Sequence, residues 1–439
     1  NLQPVNGYAK LPGGNTFSHR PYYMVLPIII RRYEEVSACM SKFVIRGGNR
    51  LEGEIDVQGA KNAVLPILAA AVVNGGKNVI YNCPDLRDVS ITLEVLNSLG
   101  CSTMRHGKTL IVDSSGLNSN VIDESLMRQM RSSIIFLGAI ITRCKEAAVS
   151  MPGGCPIGLR PIDLHLKALR ELGVKIDEEH GYIKCSADKM CGADIHLDFP
   201  SVGATENIML AAVCIDGTTI ISNAAREPEI IDLANFLNMC GARVSGAGTS
   251  CIRIDGVEKL HGAEYTVMPD RIVAATYLAA AAATGGEVFL TDAAPSDMGA
   301  MLHVLDEMGA KLTIGVKTIH LKSRGRLKSV HMLRTMPYPG FPTDIQSPFM
   351  ALASLASGTS VFVENIFENR FQHVDELVRM GADIRVEGRS AVVRGVKKLS
   401  AANMVARELR GGAALAVAAL AADGVSEISG VEYIDRGYE

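Results

Sequence analysis

A repeat constrains this chain more than any other feature. Six Ala-rich, almost wholly apolar segments begin just after Lys61, Arg131, Ser201, Arg271, Asp344 and Arg410, at intervals of 70, 70, 70, 73 and 66 residues. Asn62-Ala63-Val64-Leu65-Pro66-Ile67-Leu68-Ala69-Ala70-Ala71 and Ala413-Ala414-Leu415-Ala416-Val417-Ala418-Ala419-Leu420 are typical. A helix that is apolar all round must be buried all round. Each of the first five segments is followed by an amphipathic helix ending in Gly, then an extended strand. These glycines are Gly100, Gly173, Gly241, Gly309 and Gly381, lying 39, 42, 40, 38 and 37 residues after the markers. Gly suits the position because the residue past a helix end often takes positive φ. A sixth would fall beyond Glu439, so the last unit is expected to lack its second helix and final strands. Short β-branched stretches such as Thr218-Thr219-Ile220-Ile221 separate the helices. Sheets must then cover the inner helices from outside. Six units predict an α/β protein with two helix-filled domains of three units each, the sixth unit truncated.

The 439 residues are 48% hydrophobic and 21% charged, which describes a globular chain with a large aliphatic core. The formal charge of −3 weighs against a nucleic-acid partner. A locally basic pocket for a small anion remains compatible with it. The ten cysteines include no C-x-x-C pair, so reduced thiols in a reducing compartment are expected. No apolar run reaches the ~20 residues that span a bilayer. The run Tyr22 to Ile30 is followed by Arg31-Arg32-Tyr33-Glu34-Glu35, where a signal peptide would carry small cleavage-site residues. Met40-Ser41-Lys42-Phe43 reads as a start. Residues 1–39 are therefore expected to be a disordered extension outside the fold.

Helix N-termini prefer acidic residues, yet Lys61, Arg131 and Arg410 each open a buried helix. A single cation there can snorkel to water. Three at equivalent repeat positions fit a bound anion that takes both the side-chain charge and the free backbone N–H groups. Phosphate and carboxylate are the natural ligands. Ser201-Val202-Gly203 opens the third helix with small residues, which suits backbone cradling of a phosphate. Asp344 is either an N-cap or a general base facing the same cleft. The segment from Met151 to Asp163 holds three Gly and three Pro, which predicts an exposed, mobile loop. Arg160 would raise the thiolate fraction of Cys155 in that loop. Cys155 is thus either reactive beside an anion pocket or merely exposed. Acidic residues around Pro228 read as ordinary helix capping. The sequence contains no P-loop, dinucleotide glycine motif, zincin motif or G-x-S-x-G elbow.

From about Met40 to Glu439 the sequence resembles the UDP-N-acetylglucosamine enolpyruvyl transferases. The motifs that carry the resemblance are Gly59-Ala60-Lys61-Asn62-Ala63, Pro152-Gly153-Gly154-Cys155, Arg160-Pro161-Ile162-Asp163-Leu164-His165, Ser201-Val202-Gly203-Ala204-Thr205, Asn223-Ala224-Ala225-Arg226-Glu227-Pro228-Glu229, Phe341-Pro342-Thr343-Asp344, Glu368-Asn369-Arg370-Phe371 and Asp435-Arg436-Gly437-Tyr438-Glu439. The resemblance implies two inside-out α/β barrels, one from residues 61–269 and one from residues 40–60 plus 270–439. It implies transfer of the enolpyruvyl group of phosphoenolpyruvate to the sugar 3′-hydroxyl of UDP-N-acetylglucosamine, with release of phosphate, as the first committed step of peptidoglycan synthesis. Lys61, Arg131, Arg160, Arg410 and Arg436 would hold phosphoenolpyruvate. Asn62, Asp344 and Ile366 would meet the sugar, with Asp344 taking the hydroxyl proton. Arg160, Pro161, Ile162, Asp163 and Leu164 would hold the uridine end, and Ser201, Val202 and Gly203 the diphosphate. Cys155 would protonate the methylene carbon and react with fosfomycin, an epoxide that mimics the donor. Phe199 stands where some relatives have Lys, which removes one diphosphate contact. A cytoplasmic monomer is implied, with no cofactor, metal, nucleic acid or membrane insertion. The sister shikimate-pathway enzyme shares the fold but lacks the Pro-Gly-Gly-Cys loop. A non-catalytic sugar-nucleotide-binding paralogue is the alternative that the truncated sixth unit suggests.

Overall fold

The computed structural model describes residues 30–34, 41–151 and 162–439. The six apolar segments form the inner helices α1 (Lys61–Asn74), α2 (Phe136–Cys144), α3 (Val202–Ala212), α4 (Arg271–Ala283), α5 (Thr343–Ala353) and α6 (Leu409–Ala421). In α1 every residue except Asn62 is buried. The five glycines that end the amphipathic helices all take φ between 93° and 99°, as the repeat register predicts. One inner helix departs from regularity. Arg131–Ile135 is a 3₁₀ turn that leads into α2. The side chain of Asn207 explains it. Its Oδ1 accepts from Gly138 N (2.6 Å) and its Nδ2 donates to Ile134 O (3.1 Å). The α-helical bond between those two backbone groups is replaced by an inserted amide, a recognised cause of helix distortion.

Six four-stranded sheets cover the helices. One example runs Asp194–His196, Thr218–Ser222, Cys251–Asp255, Arg243–Ser245, with the first pair parallel and the others antiparallel. The other five repeat this order. Buried side chains separate into two cores. One draws on residues from Ala60 to Val267, the other on Ile45 to Val57 together with Ile272 to Ile434. The fold is a two-domain mixed α/β arrangement. No strand pairing among the described residues joins one sheet to the next, so the sheets surround the helices without a closed barrel.

The sixth sheet corrects two expectations from sequence. Val425–Ser429 pairs with Asn403–Val405 on one side and antiparallel with Ser41–Arg46 on the other. Ile30–Glu34 then pairs antiparallel with Ser41–Arg46. The sheet has four strands, two of them from the N-terminal part of the chain. The strands thought to be missing are thus supplied from the opposite end, and residues 30–34 lie inside the fold rather than outside it. The physical reason is that Val425–Ser429 would otherwise leave an edge of unpaired N–H and C=O groups. Ile45, wholly buried, also contributes to the second core. In the second-helix position the sixth unit has only the short helix Val431–Ile434. Among the described residues no helix is long and apolar enough to cross a membrane. The eight described cysteines are free thiols.

Candidate functional site

The two domains meet where the chain crosses between them. Gly59 bridges Pro269, and Ala60 N donates to Met268 O (2.8 Å). Asp270 joins two inner helices here. Its Oδ1 caps α4 through Ile272 N and Val273 N, while its Oδ2 accepts from Lys61 N (3.1 Å), the first N–H of α1. The anion at the start of α1 is therefore partly the protein's own. Glu408 does the same for α6, accepting from Arg410 N (2.8 Å). Lys61 and Arg410 thus start their helices beside acidic acceptors that the repeat pattern did not reveal, whereas the turn that begins at Arg131 has no side-chain cap.

Two carboxylates organise the cations. Asp88, in the first turn of the helix Arg87–Ser98, is 1% exposed. Lys61 Nζ lies 2.6 Å from its Oδ2. Arg436 grips it bidentately, Nε to Oδ1 at 2.8 Å and Nη2 to Oδ2 at 3.3 Å. Burial pushes the Lys61 ammonium pKa down; Asp88 opposes the shift, and Arg436 and Arg410 add to it, leaving it below the ordinary lysine value. Burial pushes Asp88 up, but Lys61 and Arg436 outweigh this and hold it below the ordinary carboxylate value.

Asp344 is the second. Pro342 occupies the cap position of α5, so Asp344 is not the N-cap. Its Oδ1 accepts from Arg370 Nη2 (3.0 Å) and its Oδ2 from Arg410 Nη2 (3.0 Å) and Nε (3.3 Å). Arg410 also lies over the Tyr438 ring, 5.5 Å from its centroid. Burial alone would lower the Arg410 pKa; Asp344 and Tyr438 more than reverse this and keep the guanidinium charged. Arg410 Nη1 and Arg370 Nε are buried without a hydrogen-bond partner among the described residues.

The segments expected from sequence to meet the nucleotide lie in the first domain. Ser201 caps α3, its Oγ accepting from Ala204 N at 3.3 Å, with half-buried Val202 and Gly203 following. The ring of His165 faces Gly203 so closely that an added Cβ would lie 3.1 Å from its Cε1. Asn207 Nδ2 lies 3.0 Å from His165 Nδ1. Because Asn207 Oδ1 already accepts from Gly138 N, its nitrogen is the donor, and His165 carries its proton on Nε2. Ile162 and Leu164 are half-buried at the start of the helix Asp163–Glu171, and Asp163 is exposed. Phe199 is exposed as well. Asn62 and Ile366 are half-buried, and Ile366 N donates to Glu364 Oε1 (2.8 Å). Cys155, Arg160 and Pro161 lie outside the described residues, as does the side chain of Arg131.

The acidic stretch around Pro228 does more than cap. Glu227 makes no side-chain cap bond to its helix. Instead its Oε1 accepts from Tyr338 N (3.3 Å), and Glu229 pairs with Arg271 through two bonds of 3.0 and 3.2 Å. These contacts cross between the two cores. Sequence reasoning missed Asp88, Asp270, Arg370, Glu408, His165 and Asn207. Arg370 and His165 stood within quoted motifs, and Asp270 immediately precedes a repeat marker. Nothing in the local sequence singles out Asp88.

The family model for EPSP synthase (3-phosphoshikimate 1-carboxyvinyltransferase) matches residues 45–439. The chain belongs to the EPSP synthase family. Within that family it is 54% identical over 400 residues to UDP-N-acetylglucosamine 1-carboxyvinyltransferase 2 of Caldanaerobacter subterraneus subsp. tengcongensis, covering 91% of this chain and 96% of the relative. A UDP-N-acetylglucosamine 1-carboxyvinyltransferase 1 of Symbiobacterium thermophilum is 51% identical over 412 residues, covering 92% and 93%. The fold is shared with the enolpyruvyl transferase NikO from Streptomyces tendae, at a TM-score of 0.81 and 24% identity over 90% of this chain and 94% of that one. It is also shared with EPSP synthase from Acinetobacter baumannii, at a TM-score of 0.68 and 21% identity over 90% and 95%.

Proposed function

We propose that this EPSP synthase family member transfers the enolpyruvyl group of phosphoenolpyruvate to the 3′-hydroxyl of UDP-N-acetylglucosamine and releases phosphate, in peptidoglycan synthesis. The observation that carries the reading is the cationic junction. Lys61 and Arg436 share Asp88, and Arg370 and Arg410 share Asp344. The buried N–H groups of Arg410 Nη1 and Arg370 Nε have no partner among the described residues. An unsatisfied buried donor costs about 1–3 kcal/mol, and a phosphate or carboxylate would offset that cost. The four cations outnumber the two carboxylates they share, which favours a small anionic donor.

In the addition step the sugar hydroxyl oxygen bonds to C2 of the donor and its proton passes to Asp344. Cys155 delivers a proton to the C3 methylene, which gives a tetrahedral intermediate. Elimination then expels phosphate, returns a proton from C3 and restores the double bond. An acid and a base on opposite sides of the reacting centre meet the need of this addition. Lys61, Arg131, Arg160, Arg410 and Arg436 hold the donor. Asn62 and Ile366 meet the sugar; Pro161, Ile162, Asp163 and Leu164 meet the uridine, with Arg160 serving that end as well. Ser201, Val202 and Gly203 hold the diphosphate. We place the domain boundaries at residues 61–269 and at 40–60 plus 270–439, and the protein as a cytoplasmic monomer.

Phosphate release on mixing with phosphoenolpyruvate and UDP-N-acetylglucosamine tests the reading. Well-folded protein that releases none would overturn it. The non-catalytic alternative drew on a truncated sixth unit, and the filled sixth sheet removes that motive.

A further inference from the structure

We infer that Asp88 is a positioning residue for the donor site: it holds Lys61 of its own domain and Arg436 of the other in one geometry. The inference rests on the proposed role of those two cations in holding phosphoenolpyruvate.

Lys61 lies among cations, with Arg436 and Arg410 both near enough to disfavour its charge. Like charges at this spacing repel unless an anion lies between them. Asp88 is that anion, with both oxygens engaged and almost no exposure. The segment that carries Arg436 is gripped by the same edge of the first domain. Arg87 N donates to Asp435 O (3.0 Å), and Asp85 N donates to Glu439 Oε1 (2.7 Å). Within the second domain, Gln58 Oε1 accepts from Glu439 N (3.1 Å). The backbone therefore fixes where Arg436 begins, and Asp88 fixes where its guanidinium ends. Two N–H bonds to one carboxylate hold the plane of the guanidinium as well as its position. A donor phosphate that reaches Lys61 and Arg436 meets cations already held by one carboxylate, so little ordering is left to the binding step.

Asp88→Asn tests this. The amide is nearly isosteric but neutral. If its oxygen faces Arg436, its NH₂ must face the Lys61 ammonium, donor against donor. The expected result is a rise of about tenfold or more in KM for phosphoenolpyruvate, with KM for UDP-N-acetylglucosamine little changed. The alkaline limb of the kcat/KM profile for phosphoenolpyruvate should move to lower pH, because Lys61 loses the charge that favours its protonated form. A merely structural role would not move that limb. Asp88→Glu, which keeps the charge but displaces it, should leave the limb in place and raise KM. It also serves if the Asn variant does not fold. A folded Asp88→Asn enzyme with unchanged donor KM and pH profile would overturn the inference, as would a folded Asp88→Glu enzyme with unchanged donor KM. Lys61→Ala and Arg436→Ala are measured alongside. If neither slows phosphate release, the donor-site reading itself has failed, a result separate from failure at Asp88.

Discussion

The Asp88 and Asp344 clusters use the same components, one carboxylate with two cations, yet they differ in where the cations originate. Asp344, Arg370 and Arg410 all belong to the part of the chain that builds the second core. Asp88 and Lys61 belong to the first, and Arg436 reaches them from the second. The Asp344 cluster is therefore assembled as its domain folds. The Asp88 cluster exists only while the domains are together. The proposed roles differ in the same way: Asp344, the proposed base, is held within one domain, and Asp88, the proposed positioning residue, ties donor binding to domain contact.

The largest expected effect tests the first half of that contrast. Asp344→Ala removes the proposed base and leaves two guanidiniums buried against each other. Loss of a general base costs about 10²–10⁴-fold in rate, and an uncompensated buried charge costs about 3–5 kcal/mol of stability. Activity should therefore fall below about 1% of wild type with a clear drop in melting temperature. Asp344→Asn, which spares some packing, should lose kcat with little change in donor KM. A change in donor KM alone would assign Asp344 to binding. Asp88→Asn should do the reverse, as set out above.

The second interdomain contact provides the next test. Glu229→Gln leaves Arg271 buried without its counter-charge, and about 3 kcal/mol of stability should be lost in chemical denaturation. Donor KM should change far less than in Asp88→Asn, because none of the described donor ligands, Lys61, Arg410 and Arg436, pairs with Glu229 or Arg271. An equal KM effect would mean that domain contact as such, rather than Asp88, sets donor affinity.

A buried carboxylate without a cation completes the comparison. Asp232 accepts from Tyr265 Oη (2.7 Å) and Met268 N (3.3 Å), and burial pushes its pKa up to about 6. The folded state therefore takes up a proton that the unfolded state releases, between about pH 4 and 6, and stability falls as pH rises through that window. Asp88 has the opposite sign. Its lowered pKa adds stability above the ordinary carboxylate value, and this is lost as pH falls. Asp232→Asn should flatten the slope between about pH 4 and 6, by at most about 3 kcal/mol. A melting-temperature series over pH shows whether the slope persists.

The smallest effect is expected at the surface. Arg32 pairs with Asp435, next to Arg436, at 3.1 Å, with 47% and 27% of the two side chains exposed. Solvent screens such pairs to less than about 1 kcal/mol. Arg32→Ala should leave both stability and donor KM nearly unchanged. A marked rise in KM would show that the N-terminal strand also positions Arg436.

The sequence by itself determined the repeat. Helices as apolar as Ala413 to Leu420 have no stable place except an interior, and glycines at a fixed offset set the helix ends, so six units and two helix-filled domains were legible from one chain. Lys61, Asp344, Arg410 and Arg436 were legible too, through helix-start charge and through motif. Tertiary structure decided which partners they meet. Asp88 lies 27 positions from Lys61 and 348 from Arg436, and no periodicity joins such distant residues. The sixth sheet was hidden for the same reason, since its strands come from both ends of the chain. Local pattern reports which face of an element is buried; only the fold reports what that face is buried against.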